Sequence, residues 1–576
     1  MAHGPDRRGR IAAAALRSQL AVRYILPFIV AMIVTMAWLP VLARLGNKWL
    51  FIDRPGARKV HVAPIPRVGG LAMACGVLVA ALITIHLQAQ DRWFLASAGV
   101  LIVFGALDDR FDLDYRIKLL GQLLAVIVVV LAGDVQIHTI SLDDRVALPL
   151  WLSMPLTVLF LIGVTNAINL ADGLDGLAGG TTFLCLCAVA SLSSIGDQGA
   201  STALALAFAG AVLGFLRFNT YPASVFMGDA GSQLLGFTIG VLSIRATQII
   251  ASPVSSSLPV LLLALPILDT LSVMVQRISE GRSPFSADRN HIHHKLLSLG
   301  FHHHEAVMVI YSLQASLFVT AYFLRFESDL LILAVVTAFF VLAICVFQTA
   351  SRIGWRLRPI TALETSNSSL AASTVLRRKG LIAAAANPQF LASASNWAIA
   401  VALCAYGALI MLETATMSSD LRVLVLALLA VMIGFSVALR VAPLNIVEKG
   451  ALYVTATVLV FIDGVVLPDD RELSTLTWGF VAVAAAGTAV RLRLHNDRRF
   501  QITPLDLIVL FMALVVPSLP GTLHLPNGGA LAIAKLVILF YALEVLVSRC
   551  EGRALWLRIA GGSVLAGLAI RPLMPF

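Results

Sequence analysis

Charged side chains are scarce in this sequence. Only 13% of its 576 residues are Asp, Glu, Lys or Arg, whereas 59% are hydrophobic, and the mean hydropathy is +0.89. A soluble domain of this length needs far more charge on its surface, so the composition excludes that class. Apolar runs recur along the chain that are long enough to cross about 30 Å of hydrocarbon as helices, and they are too long for barrel strands. The sequence therefore predicts an all-α, polytopic membrane protein.

Three further features of the sequence limit the class of membrane protein. The six cysteines show no paired or metal-ligand spacing, which indicates small buried or lipid-facing residues. The first apolar run lacks a clear small-residue cleavage site, so we expect no cleavable signal. The net charge of +10 comes from basic loops, as is typical of a membrane protein, and does not indicate nucleic-acid binding.

The apolar runs predict about eleven spans in the first part of the chain and about seven beyond it. The first set is 24–45, 69–88, 93–107, 118–132, 151–168, 177–195, 202–218, 230–244, 257–276, 305–324 and 328–349. The second set is 395–413, 421–439, 450–467, 474–490, 505–519, 530–547 and 554–570. The predicted organisation is a basic tail at 1–23, a membrane domain at 24–349, a polar linker at 350–394 and a further membrane module at 395–576.

Basic residues orient these spans. The loops rich in Lys and Arg are 46–68, 108–118, 277–304 and 350–380. Each span crosses the membrane once, so counting the spans between these loops (the helix parity) places all four on one face. The positive-inside rule identifies that face as cytoplasmic. The N-terminal tail is the exception, because it is basic and yet parity places it outside. We give more weight to the internal loops, since orientation is a summed bias.

Three acidic clusters stand at the edges of apolar runs, and the same parity places all of them on the cytoplasmic side. They are Asp108-Asp109, the stretch from Asn166 to Gly176, and the turn Gly228-Asp229-Ala230-Gly231-Ser232. Carboxylates are costly in hydrocarbon, so acids at this depth are candidates for a functional site. Aspartates in Gly-rich turns suit Mg²⁺, which prefers hard oxygen ligands together with substrate phosphates.

Two further loops on this face carry candidate ligand-binding residues. The loop from Ser283 to Lys295 contains Arg289 and a His-Ile-His-His run. It lacks the companion Cys or helical pattern of a zinc site, so its basic groups better suit a diphosphate or sugar hydroxyls. The loop from Asp53 to Gly70 is basic and rich in proline, which suits clamping of a phosphate, although a purely topogenic role is the alternative.

Taken in order, these motifs resemble the polyprenyl-phosphate N-acetylhexosamine-1-phosphate transferase family (glycosyltransferase family 4), in its WecA/TagO-like branch. The resemblance covers about residues 24–349. The matching stretches are Pro66-Arg67-x-Gly69-Gly70, Asp108-Asp109 with Lys118, Asn166 to Ala178, Arg217 to Ser232, and the His-Ile-His-His loop. The module at 395–576 has no counterpart in the family core.

The resemblance implies a Mg-dependent phosphoglycosyltransferase of the bacterial inner membrane, with its site facing the cytoplasm. A polyprenyl (undecaprenyl) phosphate would attack a UDP-N-acetylhexosamine, UDP-GlcNAc being favoured, and release UMP at the start of a cell-surface polysaccharide such as O-antigen or a cell-wall polymer. Mn²⁺ is an alternative metal, and a homodimer is left open. A membrane transporter or flippase, or a non-catalytic scaffold of the same pathway, is the alternative function.

The family's roles carry over to individual residues. The implied catalytic and metal-holding residues are Asp108, Asp109 and Asp229. The implied substrate-binding residues are Arg67, Lys118, Asn166, Asn169, Asp172, Asp175, Asn219, Phe226, Arg289, His291, His293 and His294.

Overall fold

The computed structural model describes most of the chain, in two compact units. The described residues are 7–48, 51–53, 64–141, 145–195, 199–248, 254–283, 290–358, 388–414, 417, 419–438, 446–466, 471–494, 504, 507, 529–547 and 554–572. The larger unit comprises Tyr24–Leu370 with Thr503–Ile508. The smaller unit comprises Met1–Arg23, Ala371–Ile502 and Val509–Phe576.

Helices dominate the larger unit, and two short antiparallel hairpins join some of them. The helices are α1 (Arg7–Lys48, of which the part from Tyr24 belongs to this unit), α2 (Gly69–Thr84), α3 (Ala89–Phe111), α4 (Tyr115–Leu131), α5 (Leu150–Ala171), α6 (Leu177–Ile195), α7 (Gly199–Asn219), α8 (Gly228–Gln248), α9 (Leu258–Leu262), α10 (Ala264–Ser279), α11 (Ile292–Ser298), α12 (His303–Phe323) and α13 (Asp329–Arg352). The hairpins pair β1 (Ile52–Asp53) with β2 (Ile65–Pro66), and β3 (Thr139–Ser141) with β4 (Arg145–Ala147).

The all-α, polytopic fold class is confirmed. Within the part of the chain that the structure describes, seven helices are long and apolar enough to cross a membrane. Each of the eleven spans predicted in the first part falls largely on helix, although 69–88 runs past the end of α2 at Thr84 and 257–276 is divided between α9 and α10. Of the later spans, 505–519 lies outside the described residues apart from Leu507.

The division of the predicted span 257–276 has a local cause. Pro266 has no N–H with which to bond the carbonyl of Leu262, so the helical ladder is interrupted there. The freed Leu262 carbonyl instead accepts a hydrogen bond from the Gln314 amide of α12, at 2.8 Å. A buried backbone group in the membrane must find such a partner, and the break is therefore stabilised by a neighbouring helix.

Helices α6, α7 and α8 form the centre of this unit. The spans of α6 and α7 are 89% and 83% buried, so neighbouring helices shield them almost completely. Two glycines let α2 and α3 approach the first turn of α8. A Cβ on Gly70 would lie 2.2 Å from the Gly231 nitrogen, and one on Gly105 would lie 2.4 Å from Ala230 Cα. The N-terminus of α8 is thus tightly enclosed by other helices.

The smaller unit is also helical within the residues that the structure describes. Its helices are α14 (Pro388–Glu413), α15 (Ser419–Ala438), α16 (Ile446–Phe461), which continues as a π-helix (Ile462–Val466), α17 (Arg471–Leu494), α18 (Gly529–Val547) and α19 (Ala554–Ala569).

A buried polar cluster links four elements of the smaller unit. Lys535 Nζ of α18 lies 2.6 Å from Asp463 Oδ2 in the π-helix and 2.7 Å from the Thr477 hydroxyl of α17. The Tyr406 hydroxyl of α14 donates to the same Asp463 oxygen at 2.9 Å. These four side chains satisfy one another's hydrogen-bonding groups, and the cluster therefore holds the helices together. We call this cluster the polar lock.

Replacing Lys535 with Met is expected to destabilise this unit. The change leaves the Asp463 carboxylate buried without its cation, which costs about 3–5 kcal/mol in comparable cases. The full chain in detergent should melt at a lower temperature. The double variant Asp463→Asn with Lys535→Met removes the stranded charge and should recover part of the loss. An unchanged melting temperature in the single variant would contradict this assignment.

Candidate active site

The first turn of α8 is the centre of the candidate site, and Asp109 of α3 caps it. Asp109 Oδ1 accepts a hydrogen bond from the Asp229 N–H at 2.9 Å, and Oδ2 accepts one from the Ala230 N–H at 3.1 Å. These amides have no partner within α8, so the carboxylate satisfies them and its charge suits the helix N-terminus. Asp109 is only 8% exposed, and both its oxygens are engaged. It therefore holds α8 against α3.

Lys118 of α4 lies between the carboxylates of Asp108 and Asp229. Its Nζ lies 2.7 Å from Asp108 Oδ2 and 3.9 Å from Asp229 Oδ2. Asp108 Oδ1 also accepts the Leu113 N–H at 2.9 Å, which fixes the short connection from α3 to α4. One ammonium thus lies within reach of both carboxylates. The Asp229 side chain stays 26% exposed and can meet a ligand.

Asn169 and Asn166 stand one turn apart on α5 and have different surroundings. The Asn169 amide donates to Asp229 Oδ1 at 2.5 Å and to the Ser232 hydroxyl at 2.8 Å, so it orients the central acid. The Asn166 amide donates to Gln122 of α4 at 2.7 Å, and Gln122 in turn donates to Gln233 of α8 at 3.1 Å. Asn166 therefore belongs to a network that ties α4, α5 and α8 together.

The turn between α5 and α6 carries Asp172 and Asp175. Asp175 Oδ2 accepts the Ala223 N–H at 2.9 Å, which fastens the α7–α8 loop to this turn. Burial, together with the neighbouring carboxylates of Asp229 and Asp175, raises the pKa of Asp172 to about 7. Among the described residues, no hydrogen bond holds the Asp172 carboxylate, which leaves it available to a ligand.

Asn219, at the end of α7, is buried and fully engaged with backbone. Its Oδ1 accepts the Gly176 N–H at 2.9 Å, and its amide donates to the Val225 carbonyl at 2.9 Å. Gly176 has φ +81°, a conformation that favours glycine. The structure thus places Asn219 where it shapes the turns around the site, and the substrate contact that the resemblance implied for it stays a prediction.

Arg67 and Phe226 lie beside the centre on paired backbone. The Phe226 N–H donates to the Pro66 carbonyl at 2.9 Å, and its carbonyl accepts the Gly69 N–H at 3.0 Å. Arg67 pairs with Asp53 and places Nη1 4.0 Å from Asp109 Oδ1. The predicted substrate-binding residue Arg289 lies outside the described residues.

The histidines of the predicted loop lie at the start of α11. The His293 ring packs on Gly173, where a Cβ would lie 2.3 Å from its Nε2. Burial, followed by the neighbouring His294, lowers the pKa of His293 to about 3, so this imidazole is neutral at pH 7. The His291 and His293 rings are parallel, with centroids 5.8 Å apart. The loop therefore reaches the Asp172–Asp175 turn through His293.

Sequence reasoning missed two residues near the site. Asp269 of α10 holds His291, with its Oδ2 2.9 Å from Nδ1. A lone carboxylate inside an apolar run was the signal that could have identified it. The second residue is Tyr311 of α12, whose hydroxyl donates to the Gly176 carbonyl. Nothing in the sequence distinguishes Tyr311 from an ordinary core tyrosine.

Fold and site together define a polytopic membrane protein with an acidic site gathered from helix ends. The sequence model of glycosyl transferase family 4 matches residues 92–247, which include all three acidic clusters. The chain is 33% identical to a probable undecaprenyl-phosphate N-acetylglucosaminyl 1-phosphate transferase of Bacillus subtilis (strain 168), over 59% of this chain and 96% of that protein.

Two other relatives agree with this match. A decaprenyl-phosphate N-acetylglucosaminephosphotransferase of Mycolicibacterium smegmatis is 37% identical, over 48% of this chain and 74% of that protein. An undecaprenyl-phosphate alpha-N-acetylglucosaminyl 1-phosphate transferase of Escherichia coli (strain K12) is 31% identical, over 53% of this chain and 85% of that protein. The chain belongs to glycosyl transferase family 4.

Proposed function

We propose that the chain transfers an N-acetylhexosamine 1-phosphate, with N-acetylglucosamine favoured, from a UDP-sugar to a polyprenyl phosphate and releases UMP. One observation carries the proposal: Asp108, Lys118, Asn169 and Asp229, from four different helices, meet at the N-terminus of α8. The choice of a polyprenyl phosphate and of N-acetylglucosamine is supported by the names of the relatives. The UDP part of the donor rests on the family resemblance.

The reaction that we propose is a displacement at phosphorus. An oxygen of the polyprenyl phosphate forms a bond to the phosphorus that bears the sugar, and the bond from that phosphorus to the UMP oxygen breaks. A phosphate monoester has its second pKa near 6, so much of the acceptor is dianionic at pH 7 and needs no general base. The protein's main tasks are therefore positioning and charge stabilisation.

The residues around α8 suit those two tasks. Lys118 supplies a full positive charge that can neutralise a phosphate oxygen, since its ammonium lies at the N-terminus of α8 within reach of Asp108 and Asp229. Asn169 fixes the Asp229 carboxylate through its 2.5 Å hydrogen bond. Asp172 is near enough to Asp229 for that carboxylate to raise its pKa, and it is the group that we assign to the nucleotide or sugar. Asp109 acts indirectly, because both of its oxygens hold α8.

A divalent cation fits this arrangement, and we propose Mg²⁺. Among the described residues, no group of three or more His, Cys, Asp or Glu side chains is arranged to hold a metal. Mg²⁺ is usually held by one or two carboxylates plus substrate phosphates and water. Asp108 and Asp229 are two such carboxylates, and both already lie close to one cation, the Lys118 ammonium. Asp229 and Asp108 would hold the ion, which when bound neutralises the developing charge of the diphosphate.

We further propose that the site faces the cytoplasm of the inner membrane and that residues 24–349 form the catalytic domain. The support for this orientation is the distribution of Lys and Arg, because the loops adjoining the site are the basic ones. The module at 395–576 is then an accessory part. The polar lock at Asp463 gives no specific support to a transport function, since its groups satisfy one another.

A direct assay tests the proposed function. The purified full chain should release UMP from UDP-N-acetylglucosamine when Mg²⁺ and a polyprenyl phosphate are both present, with a polyprenyl diphosphate sugar as the second product. Omitting the lipid should abolish release, and chelation by EDTA should do the same. A panel of UDP-sugars identifies the donor. No release from any UDP-N-acetylhexosamine under these conditions would contradict the proposal.

A further inference from the structure

Asp269 of the membrane domain lies within an apolar helix, outside the three acidic clusters. Asp269 stands in the middle of α10 and is only 6% exposed. Burying a carboxylate at this depth is costly unless hydrogen bonds compensate for the lost hydration. The hydrogen-bond partners of the Asp269 carboxylate therefore indicate its role.

Both oxygens of Asp269 are engaged by the start of α11. Oδ1 accepts the Ile292 N–H at 2.7 Å, and Oδ2 lies 2.9 Å from Nδ1 of His291, which is itself 5% exposed. One side chain therefore fixes both the first backbone turn of α11 and the ring that precedes it. This contact joins residues 22 positions apart in the sequence.

The contact decides which ring nitrogen of His291 carries the proton. An ionised carboxylate can only accept hydrogen bonds, so Nδ1 of His291 must be the donor. In the neutral ring, Nε2 is then an acceptor and the only ring nitrogen left for a ligand. The parallel His293 ring, which packs on the turn between Asp172 and Asp175, lies 5.8 Å away.

We infer that Asp269 is a positioning residue, which holds His291 in the Nδ1–H tautomer so that Nε2 accepts a hydrogen bond from the sugar of the donor. The inference rests on the proposed function, since it assigns a contact within the same site. A sugar hydroxyl or the amide N–H of an N-acetyl group is the chemistry that this acceptor recognises. Asp269 itself does not touch the substrate.

Asp269→Asn tests the inference with little change of shape. Its side-chain oxygen still accepts the Ile292 N–H, but its NH₂ now donates to Nδ1 and forces the proton onto Nε2. Mispairing this buried hydrogen bond removes the acceptor that the donor sugar meets, so we expect the KM for the UDP-sugar to rise roughly tenfold. The KM for the polyprenyl phosphate should stay unchanged, because the contact is to the donor alone.

A mutant cycle with His291→Gln separates positioning from a merely structural role. If Asp269 acts through His291, both single variants raise the KM for the donor, and Asp269→Asn adds nothing in the His291→Gln background. A structural role would instead lower the active fraction, and hence kcat, at unchanged KM. Asp329 offers a matched control. It is a buried acid that accepts the Ser257 N–H at 2.9 Å and contacts no histidine among the described residues. Asp329→Asn should leave the donor KM unchanged.

Each outcome is informative. A wild-type donor KM in Asp269→Asn, or effects of the two changes that multiply, would overturn the inference. If Asp269→Asn does not fold, His291→Gln decides alone, because a wild-type donor KM there leaves Asp269 nothing to position. Failure of the proposed function looks different, since the wild-type protein would then release no UMP.

Discussion

Replacing Asp229 with Asn is expected to lower the rate of UMP release by about 10²- to 10³-fold, the range seen when one preorganised electrostatic contact is lost. Asp229 stands in the first turn of α8, is partly exposed, and is oriented by Asn169. An amide keeps the shape and the Asn169 contact but removes the charge that would hold the proposed cation. The measurement is the initial rate of UMP release at saturating donor and lipid.

Asp134→Asn is the matched control for this change. Asp134 is exposed and follows α4, whose other end carries Lys118. It has φ 54°, a conformation that Asn also adopts readily. We expect wild-type activity from this variant. Full activity in Asp229→Asn would remove Asp229 from the chemistry, whereas loss of activity in both variants would point to a general effect of the change.

Replacing Lys118 with Met is expected to lower the rate by about 100-fold. The change removes the ammonium that lies 2.7 Å from Asp108 and 3.9 Å from Asp229, so the two carboxylates repel each other at the site. Lys118→Arg keeps the charge and should retain part of the activity, since a guanidinium has a different shape. The same UMP assay measures both variants.

Arg116→Met is a control on the same helix. Arg116 is exposed, and its Nε donates to the neighbouring Tyr115 hydroxyl at 3.2 Å. Its loss should change the rate less than twofold. If Lys118→Met retained wild-type activity, the ammonium between the two carboxylates would be irrelevant to the transfer.

Much of the architecture could be predicted because it follows from local composition. Each of the first eleven apolar runs falls largely on helix, since a backbone in lipid must satisfy itself. Asp108 and Asp229 could be singled out as candidates because acids at the edges of apolar runs are costly. The break in the helix after Leu262 could also have been predicted, because Pro266 has no N–H to donate to the Leu262 carbonyl.

The roles within the site could not be predicted, because they depend on contacts between distant segments. Asp108 and Asp109 are neighbours in sequence, yet Asp109 caps α8 while Asp108 pairs with Lys118. Asn166 and Asn169 likewise differ only in which neighbour each one meets. The partner of Asp269 lies 22 residues away, a distance that no local pattern encodes.

In the proposed orientation, the site lies at the cytoplasmic face of the membrane and the far end of α4 lies at the other face. Cysteine substitutions at Tyr221, beside the site, and at Asp134, beyond α4, test this in a cysteine-free background, since both side chains are exposed. An impermeant maleimide applied to intact spheroplasts should label position 134, and position 221 only after permeabilisation. Labelling of position 221 in intact spheroplasts would contradict the account.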